Sequence, residues 1–417
     1  MEIEDLLNSL STQLQEIDVD EVIEPEMVRP VAIQTKARRI LGDMEYKLRE
    51  TMESLKHDER LPELLYKLGN VHLKEGNYGT AVLHYEQSLG LDSDYVPAWV
   101  QLGIAYFMAE EYADAGKCLE TALGIDTDNS RAHAYMGLVQ LELDERNEAK
   151  ASFSKAIKLD KRNVRAFLGV GRFYKKIGNL QRALQWMHRA QSAGNSSVTV
   201  FLETAKVYLL QEDYSKAKDM LEKALKIDAD HPYTLAALGD IFFAKREFDQ
   251  ALLYYDKAVN VKFDDPVLWM KKGDTHRQMR SLQQAANAYE KAIHADPESV
   301  DGWIRSGKIT LVLEEPHVAL EYFNTALALA PDHPEVAHQR GLVYYSMGKF
   351  DEALFDFDMA FANEPDNPDH LYYRAMILEK LGRIPEAKRT WQVAGPLYSD
   401  LNDEMKAAEC GARAKRL

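Results

Sequence analysis

Cysteine is scarce. Cys118 and Cys410 are the only two in 417 residues. They lie far apart, and neither sits in a pair with metal or redox spacing. This excludes a disulfide framework and a thiolate zinc site, and a reducing compartment is the simplest reading. Long apolar runs are missing: no segment reaches the roughly 18 to 20 apolar residues that cross a bilayer as a helix. The first ten residues, MEIEDLLNSL, lack a basic region and a sustained apolar stretch, so they are not a secretory signal. Positive charge is in the minority, 51 Lys plus Arg against 67 Asp plus Glu, a net charge of −16. That balance argues against a general nucleic-acid or anionic-membrane surface. H-E-x-x-H, G-x-S-x-G and phosphate-binding glycine loops are absent, and the 12 histidines are scattered. The sequence therefore predicts a non-enzyme with no cofactor and no metal, cytoplasmic or, in a eukaryote, nuclear.

What the chain has in abundance is repetition. A 34-residue unit recurs ten times from Pro62 to about Leu401, without insertion or deletion. Gly or Ala falls at one phase: Gly69, Gly103, Gly137, Gly171, Ala205, Gly239, Gly273, Gly307, Gly341 and Ala375. Twelve residues after each comes an alanine, from Ala81 to Ala387. In the unit starting at Pro266, Trp269, Gly273 and His276 mark one face of a first helix, and Ala285, Tyr289 and Ala292 one face of a second. Glycine inside a helix costs roughly 1 kcal/mol against alanine, so eight glycines at one phase require a packing reason. Small residues at Gly273 and Ala285 bring two backbones close, and Tyr289 fills the space left. Prolines punctuate the units: Pro62, Pro232, Pro266, Pro334 and Pro368 open first helices, where the missing N–H has no intrahelical partner anyway.

These residues carry a resemblance. Trp99-Leu102-Gly103-Tyr106-Ala115 and Trp303-Gly307-Ala319-Phe323-Ala326-Pro331 resemble the tetratricopeptide repeat. The resemblance covers about four fifths of the chain and implies an all-α, right-handed superhelical solenoid of about ten helix-turn-helix units with helical caps. Lys272, Arg340 and Arg374 depart from the pattern at a position that is usually apolar, and Ser88 replaces an alanine. Local polar contacts or looser packing are expected there.

The ends are not repeats. Residues 1–34 read as an acidic amphipathic helix and linker, with Ile3, Leu6, Leu7, Leu10, Leu14 and Ile17 at helical spacing. Residues 35–61 read as an N-terminal capping helix, the array as 62–401, and 402–417 as a C-terminal capping helix using Leu401, Met405, Ala408 and Ala412. The first helix is a cap, a docking peptide or an autoinhibitor; the second is a cap or a short coiled coil.

The resemblance also implies that first helices line a concave face, with the second, fifth, ninth, twelfth and thirteenth positions of each unit looking inward. On this chain those positions give Tyr66, Asn70 and Phe107 early, then Arg131, Arg165, Arg172, Lys175, Lys176 and Lys206, then Arg277 and Lys308. Asp240, Asp274 and Asp301 interrupt this basic band. Residues 1–30, with nine acids and one arginine, are a candidate intramolecular occupant. A chaperone carboxylate clamp is not expected, because Tyr66 and Tyr135 stand where that subfamily has lysine and arginine. The function predicted is a scaffold or adaptor that binds an acidic or extended polypeptide on this face. The alternative is a self-assembling structural subunit, a homo-oligomer built through its terminal helices.

Overall fold

The computed structural model describes residues 58–194 and 197–417. The amphipathic helix, the linker and most of the N-terminal cap expected from sequence fall in residues 1–57 and lie outside the described residues. Among the described residues there are 21 helices and no strand. The first five hairpins are α1 (Leu61–Glu75) with α2 (Tyr78–Leu91), α3 (Val96–Met108) with α4 (Tyr112–Ile125), α5 (Ser130–Glu142) with α6 (Arg146–Leu159), α7 (Val164–Lys176) with α8 (Leu180–Ser192), and α9 (Val198–Leu210) with α10 (Tyr214–Ile227). The next five are α11 (Pro232–Ala244) with α12 (Phe248–Val261), α13 (Pro266–Gln278) with α14 (Leu282–Ala295), α15 (Val300–Val312) with α16 (Pro316–Leu329), α19 and α20 (Pro368–Lys380 and Ile384–Asp400), and between them α17 (Pro334–Ser346) with α18 (Phe350–Asn363). One further helix, α21 (Glu404–Arg416), follows. The ten hairpins are the ten sequence units. The chain forms two compact units, unit 1 up to Ala237 and unit 2 from Leu238.

The glycine phase has the packing reason it needs. A Cβ on Gly137 would stand 2.6 Å from the ring of Phe153, and one on Gly169, in the next repeat, 2.2 Å from the same ring. One buried aromatic thus wedges into two helices at points where neither carries a side chain. Tyr85, Tyr255, Tyr289, Phe323 and Phe357 occupy the equivalent place sixteen residues after Gly69, Gly239, Gly273, Gly307 and Gly341. Leu119 and Met187 do so for Gly103 and Gly171. All ten phase alanines from Ala81 to Ala387 are fully buried. In unit 1, α1, α3, α5, α7 and α9 pack side by side, and in unit 2 so do α13, α15 and α17. This brings the residues of successive first helices onto one face.

The turn inside each hairpin is equally regular. Gly76, Glu110, Asp144, Gly178, Glu212, Arg246, Arg280, Glu314, Gly348 and Gly382 all have φ between 58° and 80°. This is the left-handed residue that ends a helix and turns the chain, a conformation that favours glycine. Six of the ten turns use another residue and carry that strain. The turns between hairpins are latched by indoles: Trp99, Trp269 and Trp303 each donate Nε1–H to the carbonyl six residues back, at 2.7–2.8 Å.

The departures from the repeat pattern are polar contacts. Arg340 makes a two-pronged bond to the fully buried Asp356, at 2.6 and 2.9 Å, and also reaches Asn324. Lys272 pairs with Asp256, and Arg374 with Asp358 and Thr390. Ser88 donates to the carbonyl of Pro62 at 2.7 Å. The C-terminal helix is a correction to the sequence reading. Its docked stripe is Lys406, Cys410, Arg413 and Ala414, and the expected stripe Leu401, Met405, Ala408 and Ala412 faces solvent, Met405 being 84% exposed. The reason is that α19 offers polar partners: Asp369 takes Lys406, Tyr372 donates to Glu409, and Glu379 pairs with Arg413.

Candidate protein-binding face

A periodic polar contact builds the first-helix face. The ninth residue of one repeat meets the sixth residue of the next, a separation of 31. Asn70 accepts from Gln101 at 2.7 Å, Arg172 donates to Glu203 at 3.3 Å, Lys271 to Asp240 at 2.7 Å, and Arg305 to Asp274 at 2.6 and 2.7 Å. The separation is the 34-residue period less one helical turn. It follows from first helices packed side by side, with charges or amides facing across these four seams.

In unit 1 the face begins with aromatics and an amide chain. Tyr66 is half-buried, edge-on to Tyr95 at 5.4 Å and tilted against Tyr85. Asn70 is buried, and its Oδ1 also accepts the Tyr85 hydroxyl at 2.8 Å. Its side chain therefore ties two repeats together. Gln101 passes the chain on, accepting from Arg131 at 2.7 Å. Phe107 packs edge-on against the buried ring of Tyr135, and Arg165 lies over that ring at 4.5 Å.

Further along, cations converge. Glu203 on α9 is only 3% exposed. Its carboxylate accepts from Lys206 at 2.9 Å, from Lys175 at 3.1 Å and from Arg172 at 3.3 Å. Burial alone would disfavour its charge. The positive charges of Arg172, Lys206 and Lys175 outweigh that and hold the carboxyl well below the usual carboxylate range. The side chains of these three cations remain 25–45% exposed. Lys176 points elsewhere: it caps α5 through the Leu141 carbonyl at 2.7 Å and stands 3.7 Å from Asp144.

In unit 2 the same row is balanced. Lys271, Arg277, Arg305 and Lys308 face Asp240, Asp274, Asp301 and Glu335, four against four. Arg277 is paired with Asp274 at 3.6 Å, and Lys308 with Glu335. Tyr255 and Tyr289, the wedge aromatics, extend their hydroxyls to Asp240 and Asp274 at 2.7 and 2.8 Å. A cavity of about 470 Å³ opens here over Ile304, Ile309 and Tyr289.

Sequence reasoning thus placed the cations on one face and missed most of what they touch. Glu203 and Gln101 occupy the sixth position, outside the five taken as inward. Acids and bases set 31 residues apart were the available signal. Both cysteines are buried, and burial pushes each thiol up to about 11, which leaves them unreactive. Among the described residues no group of three His, Cys, Asp or Glu is placed to hold a metal ion, and no helix is long and apolar enough to cross a membrane.

The model of the family described as "Cilia and flagella-associated protein 70 C-terminal domain" matches residues 6–232, a little over half of the chain. Three tetratricopeptide repeat models match residues 208–274, 270–334 and 308–378. No curated protein matches the chain. Among solved structures, the human IFIT1 dimer with PPP-AAAA is 16% identical with a TM-score of 0.54, covering 88% of this chain and 99% of its own. A tetratricopeptide repeat protein from Parabacteroides merdae is 18% identical with a TM-score of 0.50, covering 64% and 99%. PilF from Pseudomonas aeruginosa is 22% identical with a TM-score of 0.41, covering 52% and 96%. At such identities the first two likenesses are of fold alone. The glycine-wedge hairpins and the matched models lead to one conclusion: the chain belongs to the tetratricopeptide repeat family and, within it, to the family of the cilia and flagella-associated protein 70 C-terminal domain.

Proposed function

We propose that this chain is a protein-interaction array that takes an extended acidic polypeptide along the first helices of unit 1. Tetratricopeptide repeats mediate protein–protein interaction, and stacked repeats offer long faces suited to extended partners. The observation that carries the finer reading is that Lys175 and Lys206 both turn to the one buried carboxylate of Glu203, on a protein whose net charge is −16. A local positive patch on an acidic body attracts an opposite charge there and repels it elsewhere. Tyr66, Phe107 and the Arg165–Tyr135 stack extend the patch with apolar and planar surface. The family description names a cilia- and flagella-associated protein, which makes an acidic ciliary or flagellar polypeptide the first partner to test. The direct check is calorimetric titration of the full chain with a glutamate-rich peptide at low and at physiological salt. Binding that weakens as salt rises supports the reading; no heat at either salt refutes it.

A second reading, self-assembly through the C-terminal end, is favoured by one observation. Leu401 and Met405 are exposed at this end, and α20 and α21 carry a groove of about 740 Å³ lined by Gly395, Ala407, Ala408 and Gly411. Sedimentation equilibrium of wild type and Met405→Lys decides it: a dimer that dissociates in the variant supports it, a monomer in both excludes it.

A further inference from the structure

We infer that the surface of α19 and α20 beneath α21 is a receptor for a basic partner helix, and that α21 fills it as a displaceable stand-in. The inference concerns unit 2 alone and needs no ligand on unit 1.

Two sockets of one design lie under α21. In the first, the buried Tyr398 donates its hydroxyl to Oδ1 of Asp369 at 2.6 Å. Lys406 of α21 donates to the same oxygen at 2.7 Å and stands over the Tyr398 ring, 4.9 Å from its centre. In the second, the buried Trp391 donates Nε1–H to Oε1 of Glu379 at 2.6 Å. Arg413 of α21 comes within 3.6 Å of that oxygen and lies over the indole at 5.0 Å. Each acid is fixed by the ring beside it, and each cation meets both ring and acid. The bonds that fix the acids join α20 to α19, and α21 takes no part in them. What α21 brings is two cations seven residues apart, about 10 Å along a helix. Its buried residues, Cys410 and Ala414, are both small. Small side chains add little apolar hold, so the cation contacts decide how firmly this helix sits. Those contacts are open to water: the side chains of Lys406 and Asp369 are 42% and 44% exposed, those of Arg413 and Glu379 34% and 25%. Pairs this exposed are weak. A partner helix with Lys or Arg seven residues apart and a small residue between them therefore competes for the same two sockets.

The test uses the full chain and reads α21 through Cys410, which is fully buried beneath it. An aromatic disulfide labels free thiols, and mass analysis identifies the labelled cysteine. Cys118, buried in unit 1, reports global unfolding in the same sample. Two peptides of residues 402–417 are added in excess, both bearing Cys410→Ser. The first keeps both cations; the second also carries Lys406→Gln and Arg413→Gln. The first peptide displaces α21, so Cys410 is labelled faster in proportion to the peptide added while Cys118 is unchanged. The second peptide has no effect. Lys406→Gln in the full chain loosens the first socket, speeds Cys410 labelling roughly fivefold without peptide and lets the first peptide act at lower concentration. If the first peptide leaves the Cys410 rate unchanged in both wild type and the Lys406→Gln chain, the surface is no receptor and the inference fails. If the two peptides act alike, the sockets do not read the cations and the inference fails equally.

Discussion

Unit 1 and unit 2 use one backbone repeat and one seam contact for different ends. In unit 2 each cation of the first-helix row meets an acid, and the pairs Lys271–Asp240 and Arg305–Asp274 staple consecutive repeats. In unit 1 the equivalent seam gathers Arg172, Lys175 and Lys206 around the buried carboxylate of Glu203. On the proposed reading, a few side chains at the sixth, ninth and twelfth positions turn this structural staple into a charged receptor. Nothing in the hairpin geometry changes, since the glycine wedges and left-handed turns recur in both.

The strongest break of this comparison is made where unit 2 relies on a buried pair. Arg340→Ala strands the carboxylate of Asp356, which has no exposure, so unit 2 should lose about 3–5 kcal/mol. Urea unfolding followed by hydrogen exchange of unit 2 amides checks it, with unit 1 amides unchanged.

Acid sharpens the comparison next. His338 on α17 lies 2.9 Å, Nδ1 to Nδ1, from the buried His370, whose Nε2 faces Glu364. Burial, and then His370, hold the His338 pKa down at about 4, against 6.5 in the unfolded chain. The unfolded state therefore binds protons first. Stability present above about pH 6.5 is lost as pH falls toward 4, by about 2 kcal/mol. Glu203 acts in a lower window. Its folded pKa is depressed, so its contribution is intact above its unfolded value of about 4.5 and is lost only below that. Thermal melts at pH 7.5 and 5 should show unit 2 weakening and unit 1 holding, and His338→Gln should flatten the unit 2 response.

The smallest effect is a control. Glu212→Gly in unit 1 and Arg280→Gly in unit 2 relieve left-handed turns with φ of 58° and 59°, each raising stability by up to about 1 kcal/mol. Equal gains would show that the two units differ in side-chain charge and share their backbone design. Unequal gains would place the difference in the turns.

The fold was legible because its cause is local and repeated. A glycine facing a large apolar side chain sixteen residues on, a proline in the first turn of many first helices and an alanine in each second helix are read directly from spacing. The face was legible only as a set of cations. Glu203 and Gln101 sit at a position that hydropathy does not single out, and each has a partner one repeat away. Finding them needs the side-by-side packing that turns a period of 34 into a contact separation of 31. At α21 the pattern misled: Leu401 and Met405 look like core by spacing, but Asp369, Tyr372 and Glu379 draw the polar face of that helix inward.

The central claim is that unit 1 carries a cationic receptor for acidic polypeptide and unit 2 does not. The most direct measurement compares two double neutralisations in titrations with one glutamate-rich peptide: Lys175→Gln with Lys206→Gln in unit 1, and Arg277→Gln with Lys308→Gln in unit 2. In both, a cation that pairs with the same acid network remains, Arg172 on Glu203 and Arg305 on Asp274. The account predicts that the unit 1 variant loses roughly tenfold or more in affinity and that the unit 2 variant stays within about twofold of wild type. Equal losses in both, or a loss confined to unit 2, would contradict it.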